Sequence, residues 1–107
     1  MVKISILYPN KMGSRFDLSY YIHTHMPRSI ELISAHPGFR GVSVEHGVSG
    51  SVPGTEAAFI AMCHFQFDSA EDFLAAFLPH AEVLRADMLH YTDLQPVIQV
   101  NEVLISR

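Results

Sequence analysis

Seven histidines in 107 residues raise the question of whether any is placed for acid–base work, since imidazole ordinarily titrates near neutrality. His25 is the strongest candidate. Steps of ~100° per residue put Leu18, Tyr21, Ile22, Ser29, Leu32 and Ile33 on one helical stripe with His25 in its middle. A histidine there either finds a hydrogen-bond partner in the core or lines a cavity. Pro27 removes a backbone donor and crowds the carbonyl of His23, which predicts a kink beside His25. Ser29 is small where a filled core would prefer a large residue. Room beside an imidazole is how a small-molecule pocket begins. A neutral imidazole in such a pocket can abstract a proton next to a carbonyl, as isomerisation and cyclisation require.

Around His25 the other candidates are weighed by strand phase. Tyr8 ends an alternating run on the side of Ile4 and Ile6, where its hydroxyl can reach pocket contents, and Tyr21 shares the stripe of His25. Either can orient a substrate oxygen; either can also be a core aromatic with a wet tip. Phe39, Phe73 and Phe77 can supply an apolar wall. Cys63 and His64 are neighbours on one strand and must point to opposite faces, so only one of them meets the helices. A buried cysteine is more often a small hydrophobe than a nucleophile. His46 reads as interface or rim, His80 and His90 as surface or cap residues, and His36 as a loop residue. No metal site is expected, because His23 and His25 are two apart rather than the four that pairs a helix face. No glycine-rich strand-to-helix turn offers a nucleotide or flavin site, so no cofactor is expected.

The elements that must position these residues read in the order βαββαβ. Residues 2–8 alternate as a strand. Pro9-Asn10 and Gly13-Ser14 close it, and Asp17 caps a helix from Leu18 to about Ala35. His36-Pro37-Gly38 stops that helix. Strands from about Arg40 to Val48 and from Ala57 to Phe67 flank a turn-rich loop. Ser69-Ala70-Glu71-Asp72 has capping-box spacing and opens a second helix, Ala70 to about Leu89, bent at Pro79. The last strand runs from Val97 to Ile105. This is the split βαβ pattern of a ferredoxin-like α+β domain, a four-stranded antiparallel sheet with two helices on one face. Residues 1–107 make a single domain.

Strands two, three and four are expected to be apolar on both faces, with Phe59, Ala61, Cys63, Phe65 and Phe67 against Ile60 and Met62. A sheet open to water would alternate with polar residues. The sheets of two copies are therefore expected to close on one another as a homodimeric α+β barrel. Composition agrees: 49% apolar and 17% charged residues leave a small domain with more grease than a monomer surface needs. A net charge of −4 and the lack of any basic run argue against nucleic acid or an anionic membrane. One cysteine excludes an intrachain disulfide. The N-terminus has no signal-peptide anatomy and no apolar run is long enough to span a bilayer, so a cytoplasmic protein is expected.

Tyr20-Tyr21 followed by His25-Met26-Pro27, after Arg15-Phe16-Asp17, resembles the signature of the EthD family. The similarity extends through Lys3 to Pro9, Phe67-Asp68-Ser69, Ala86-Asp87 with Tyr91-Thr92-Asp93, and Pro96-Val97-Ile98-Gln99-Val100. The resemblance implies a dimeric α+β barrel and maps the family's helix histidine onto His25. It implies an association with ethyl tert-butyl ether degradation, a frequent reductase label, and relatives by fold among methylmuconolactone isomerase, polyketide cyclases and cofactor-free monooxygenases. The isomerase pairs histidines with a cysteine, which keeps Cys63 a candidate. Arg28 and Met88-Leu89-His90 depart from the family pattern.

These readings lead to two expectations. In one the chain is a cofactor-independent enzyme acting on a small apolar, oxygen-bearing compound, with His25 as base or acid. In the other it is a non-catalytic carrier or an accessory subunit of an oxygenase. The reductase label finds no hydride source among these residues.

Overall fold

The computed structural model describes residues 1–107. Four strands form one antiparallel sheet: β1 (Val2–Pro9), β2 (Phe39–His46), β3 (Phe59–Phe67) and β4 (Val97–Glu102), in the order β2-β3-β1-β4. Helix α1 (residues 18–33) follows β1, and α2 (residues 70–88) follows β3. The α+β class and the ferredoxin-like order are those the strand and helix pattern predicts. Asp17 caps α1 by accepting from the Tyr20 N–H at 3.1 Å, and Ser69 caps α2 by accepting from the Asp72 N–H at 3.1 Å.

Neither helix is regular. Helix α1 contains a π turn, Tyr21–His25, in which the Met26 N–H bonds back to the Tyr21 carbonyl. Pro27 is the cause: it offers no N–H to the His23 carbonyl, and the wider turn absorbs the mismatch. The kink expected from Pro27 is thus a change of helical pitch. It also shifts the phase of the buried stripe. Tyr21, His25, Met26, Ser29 and Ile33 face inward, whereas Ile22 turns out toward solvent. At Pro79, α2 passes through a single 3-10 turn, Leu78–His80.

Three predicted strand ends shorten. β2 stops at His46, although the next residue, Gly47, still donates its N–H to the Ile60 carbonyl at 2.9 Å and lies too close to the backbone of Phe59 for a Cβ. β3 starts two residues late and β4 ends at Glu102. Facing the helices, Ile4 pairs with Phe65, Ile6 with Cys63 and Ile98, and Tyr8 with Ala61. Ile4, Phe65, Phe67, Ile33, Tyr21 and Tyr91 form the fully buried core. Phe73 belongs to the buried cluster and the half-buried Phe39 packs against it: both lie edge-on to Phe67, at 5.5 and 5.7 Å between ring centroids.

The opposite face bears out the expectation of apolar residues on both sides only in part. Ile60 and Met62 lie there, and Leu7, Met62 and Val97 share one register position, but toward the other end of the strands the surface is polar. There Gln99 donates to Asn101 (2.6 Å) and Asn101 to Ser5 (3.1 Å), and Ser5 bonds to His64 Nδ1 (2.7 Å). His64 Nε2 lies 3.5 Å from Glu45, which also accepts from Ser43 at 3.1 Å. Counting alternate residues missed this because each strand contributes only one or two of these polar groups. Only the registered sheet makes them a row. Cys63 points to the helices and His64 to this face. No helix of the chain is long and apolar enough to cross a membrane.

Candidate functional site

The site forms where two loops lock the helices together. Arg15 bonds through its guanidinium to the carbonyls of Leu89 (2.7 Å) and His90 (3.3 Å), and its N–H donates to Asp93 at 2.9 Å. The Thr92 hydroxyl donates to the Arg15 carbonyl (2.8 Å), and the Asp17 N–H to the Tyr91 carbonyl (2.7 Å). The start of α1 and the end of α2 are thereby held in register. A cation and fixed donors at the last carbonyls of a helix also satisfy groups that would otherwise lack partners.

That clasp brings Asp87, on the last turn of α2, against the π turn of α1. His25 Nδ1 lies 2.8 Å from Asp87 Oδ2, and the Tyr20 hydroxyl donates to Asp87 Oδ1 at 2.7 Å. An ionised carboxylate only accepts, so the Nδ1 proton belongs to His25. Its Nε2 then carries the lone pair and makes no hydrogen bond within the protein. Burial lowers the His25 pKa below the ordinary imidazole value, with the Arg28 charge acting in the same direction and Asp87 opposing both. Burial alone would raise Asp87, but the hydrogen bonds from His25 and Tyr20 outweigh it and hold the carboxyl below its ordinary value. The pair is a neutral imidazole oriented by a carboxylate, which is the base-ready state.

Aromatic rings pack around this dyad. His25 lies 4.6 Å from Tyr91 between ring centroids, and Tyr8, Phe16, Tyr21 and Tyr91 meet edge to face or tilted at 5.1 to 6.0 Å. The hydroxyls of Tyr8 and Tyr91 are 2.7 Å apart. The Tyr21 hydroxyl is buried with no partner at all. Burial pushes the Tyr8 phenol up to about 12 and raises Tyr21 and Tyr91 further, so all three remain neutral donors. Burial likewise pushes the Cys63 thiol up to about 12, which makes it a poor nucleophile.

Beneath His25 a cavity of about 700 Å³ opens between α1, the second half of α2 and strands β1, β3 and β4. Ile6, Ile33, Phe65, Phe77, Leu84 and Ile98 supply apolar wall, and Glu82, Arg85, Asp93 and Gln95 also border it. Of the residues singled out from the sequence, His25, Tyr8, Tyr21, Cys63 and Phe77 meet at this cavity, as does Ser29. Phe39 and Phe73 do not: β2 is the far edge of the sheet, and the first half of α2 packs down onto β3. Asp87, Tyr20 and Tyr91 belong to the site although strand and helix phase assigned them no role. The available signal was the pair Ala86-Asp87 and Tyr91-Thr92-Asp93, which matters only once folding apposes it to Arg15-Phe16-Asp17. No group of three or more histidine, cysteine or acidic side chains comes together to hold a metal ion.

Fold and site define a ferredoxin-like α+β domain with a histidine–carboxylate dyad at an apolar cavity. The EthD domain family matches residues 11–95, and the chain belongs to that family. An EthD-like protein from Ralstonia eutropha JMP134 is 40% identical over 99% of this chain and 94% of its own, with a TM-score of 0.90. An ethyl tert-butyl ether D (EthD) family protein from Bacillus halodurans C-125 is 25% identical over 97% of this chain and 99% of its own (TM-score 0.69). SnoaB from Streptomyces nogalater, a cofactor-independent oxygenase, shares the fold at 13% identity over 98% of this chain and 93% of its own (TM-score 0.57). No curated protein matches the chain.

Proposed function

We propose that this EthD-family protein is a cofactor-independent enzyme that moves a proton on a small apolar compound bearing oxygen. His25 Nε2 is the base, and Asp87 fixes its tautomer and stabilises the imidazolium that forms. Tyr8 and Tyr21 orient the substrate oxygen, while Cys63 and Phe77 line its binding space. The carrying observation is the His25–Asp87 bond of 2.8 Å at a cavity of about 700 Å³. A core histidine bonded on both nitrogens would do no chemistry; here one nitrogen is oriented and the other is free. The fold is compatible with such chemistry, since SnoaB is a cofactor-independent oxygenase of similar architecture, although a shared fold assigns no reaction.

A panel of small apolar ketones in D₂O, followed by NMR, tests the reading through exchange of the protons next to the carbonyl. Exchange catalysed by the wild-type protein should fall about 10²- to 10⁴-fold in His25→Gln, with the melting temperature retained. Binding without exchange in the wild type, unchanged in His25→Gln, would make the protein a carrier.

We also place the working form as a homodimer. The apolar patch of Leu7, Met62 and Val97 lies on the sheet face that no helix covers. Ser5, His64 and Asn101 beside it are mutually hydrogen-bonded, which lowers the cost of covering them with a second copy. The buried unpaired thiol of Cys63 fits a reducing compartment such as the cytoplasm.

A further inference from the structure

At the wall of the cavity one fully buried hydroxyl has nothing to bond to. Tyr21 is fully buried, lines the cavity, and its hydroxyl lacks a partner. An unsatisfied buried hydroxyl is costly, and phenylalanine would fill the same space without it. Beside it, the Tyr8–Tyr91 pair has two protons and one mutual hydrogen bond. Tyr8 lines the cavity, while Tyr91 lies behind it. When Tyr91 donates to Tyr8, the Tyr8 proton is free to point at cavity contents. Two neutral phenols with rings 5.7 Å apart therefore line the same cavity as His25. The Tyr21 and His25 rings lie nearly parallel, 6.3 Å apart and 14° from coplanar orientation. The rest of the wall is mostly apolar, with Ser29 and Thr92 also buried there and Glu82, Arg85, Asp93 and Gln95 at its border.

We propose that Tyr21 and Tyr8, the latter backed by Tyr91, form an oxyanion subsite for the carbonyl oxygen of an enolisable ketone or related carbonyl compound with an apolar body. This rests on the reading of His25 as the base and names the substrate class it acts on. The C–H bond next to the carbonyl breaks, and its proton goes to His25 Nε2. The electron pair moves into the carbonyl, giving an enolate whose oxygen accepts from both tyrosines. The net charge of the site is unchanged by the transfer, and the imidazolium it creates is paired with Asp87. Returning the proton to another carbon completes an isomerisation; attack of the enolate carbon on a second carbonyl, whose oxygen then takes the proton back from His25, completes a cyclisation. No oxidant or reductant is consumed. Fixed donors aimed at the developing charge are an effective way to stabilise such an anion.

The test uses p-nitrophenol, whose planar anion stands in for the enolate, and p-nitrotoluene, which replaces the hydroxyl with a methyl group. Wild type should bind p-nitrophenol as its anion, with a shifted absorbance band, at least about ten-fold more tightly than p-nitrotoluene. Tyr21→Phe should weaken p-nitrophenol about 10- to 100-fold and leave p-nitrotoluene unchanged. The same variant should melt about 4 to 8 °C higher, because it removes an unsatisfied hydroxyl. Tyr8→Phe, which orphans Tyr91, should weaken p-nitrophenol but melt lower. Equal affinity for the two compounds, or p-nitrophenol binding unaffected by Tyr21→Phe, overturns the subsite and leaves the pocket and base standing. If neither compound binds, the subsite and the ligand pocket both fall.

Discussion

At the scale of single residues, function depends on which side chains are satisfied and which are not. Asp87 accepts from both His25 and Tyr20, and Tyr91 is paired with Tyr8. At the cavity the His25 Nε2 lone pair makes no hydrogen bond within the protein, and the Tyr21 hydroxyl is buried without a partner. Asp87→Asn replaces two charge-assisted hydrogen bonds by neutral ones and should cost about 1.5 to 3 kcal/mol in denaturant unfolding. The dyad also sets a pH dependence. His25 has its folded pKa depressed below the ordinary 6.5. Below that pH the unfolded chain takes up a proton that the native chain refuses. The stability from keeping His25 neutral is therefore complete above 6.5 and declines as the pH falls. Asp87, depressed below its ordinary 3.8, adds a second loss of the same sign at lower pH. The melting temperature should fall from pH 7 to pH 5, and it should fall less in His25→Gln, a difference that separates His25 from the other six histidines.

At the scale of elements, most of the scaffold was legible from local chemistry. The βαββαβ order, both helix caps and the irregularities at Pro27 and Pro79 follow from residue types that act within one turn or strand. The inward placement of Cys63 was an open choice between two phases, which the pairing of Ile6 with Cys63 decides. What was hidden is what depends on contact between distant segments. Asp87 reaches His25 across 62 residues of chain, and Tyr8 reaches Tyr91 across 83. Neither partner has a spacing that reveals it. The π turn is an intermediate case: Pro27 announces a fault, but the shift that buries Met26 and exposes Ile22 depends on how the backbone absorbs it. Phe39 and Phe73 were assigned to the pocket because aromatics suit apolar walls. They suit cores equally well, and the position of the cavity toward β1 and β4 leaves them in the core.

At the scale of the whole molecule, the sheet separates two surfaces of different character. The helix side holds the cavity and the dyad; the other side joins a small apolar patch to a polar row that is hydrogen-bonded across β4, β1 and β3 and ends beside Glu45 of β2. Two such faces can meet with the apolar patches in contact and the polar rows already satisfied. Sedimentation equilibrium should give twice the monomer mass for the wild type. Met62→Lys, which sets a charge in the patch, should shift the chain to monomer, whereas Val83→Lys, on the exposed side of α2, should not. The central claim concerns the one group that all this structure positions, a neutral His25 with its Nε2 lone pair facing the cavity. Nitrogen-15 NMR of the imidazole, followed through a pH titration, measures that state directly. The expected result is a proton on Nδ1, a bare Nε2 at pH 7, and protonation only below pH 6.5. A proton on Nε2, or an imidazolium already present at pH 7, would contradict it.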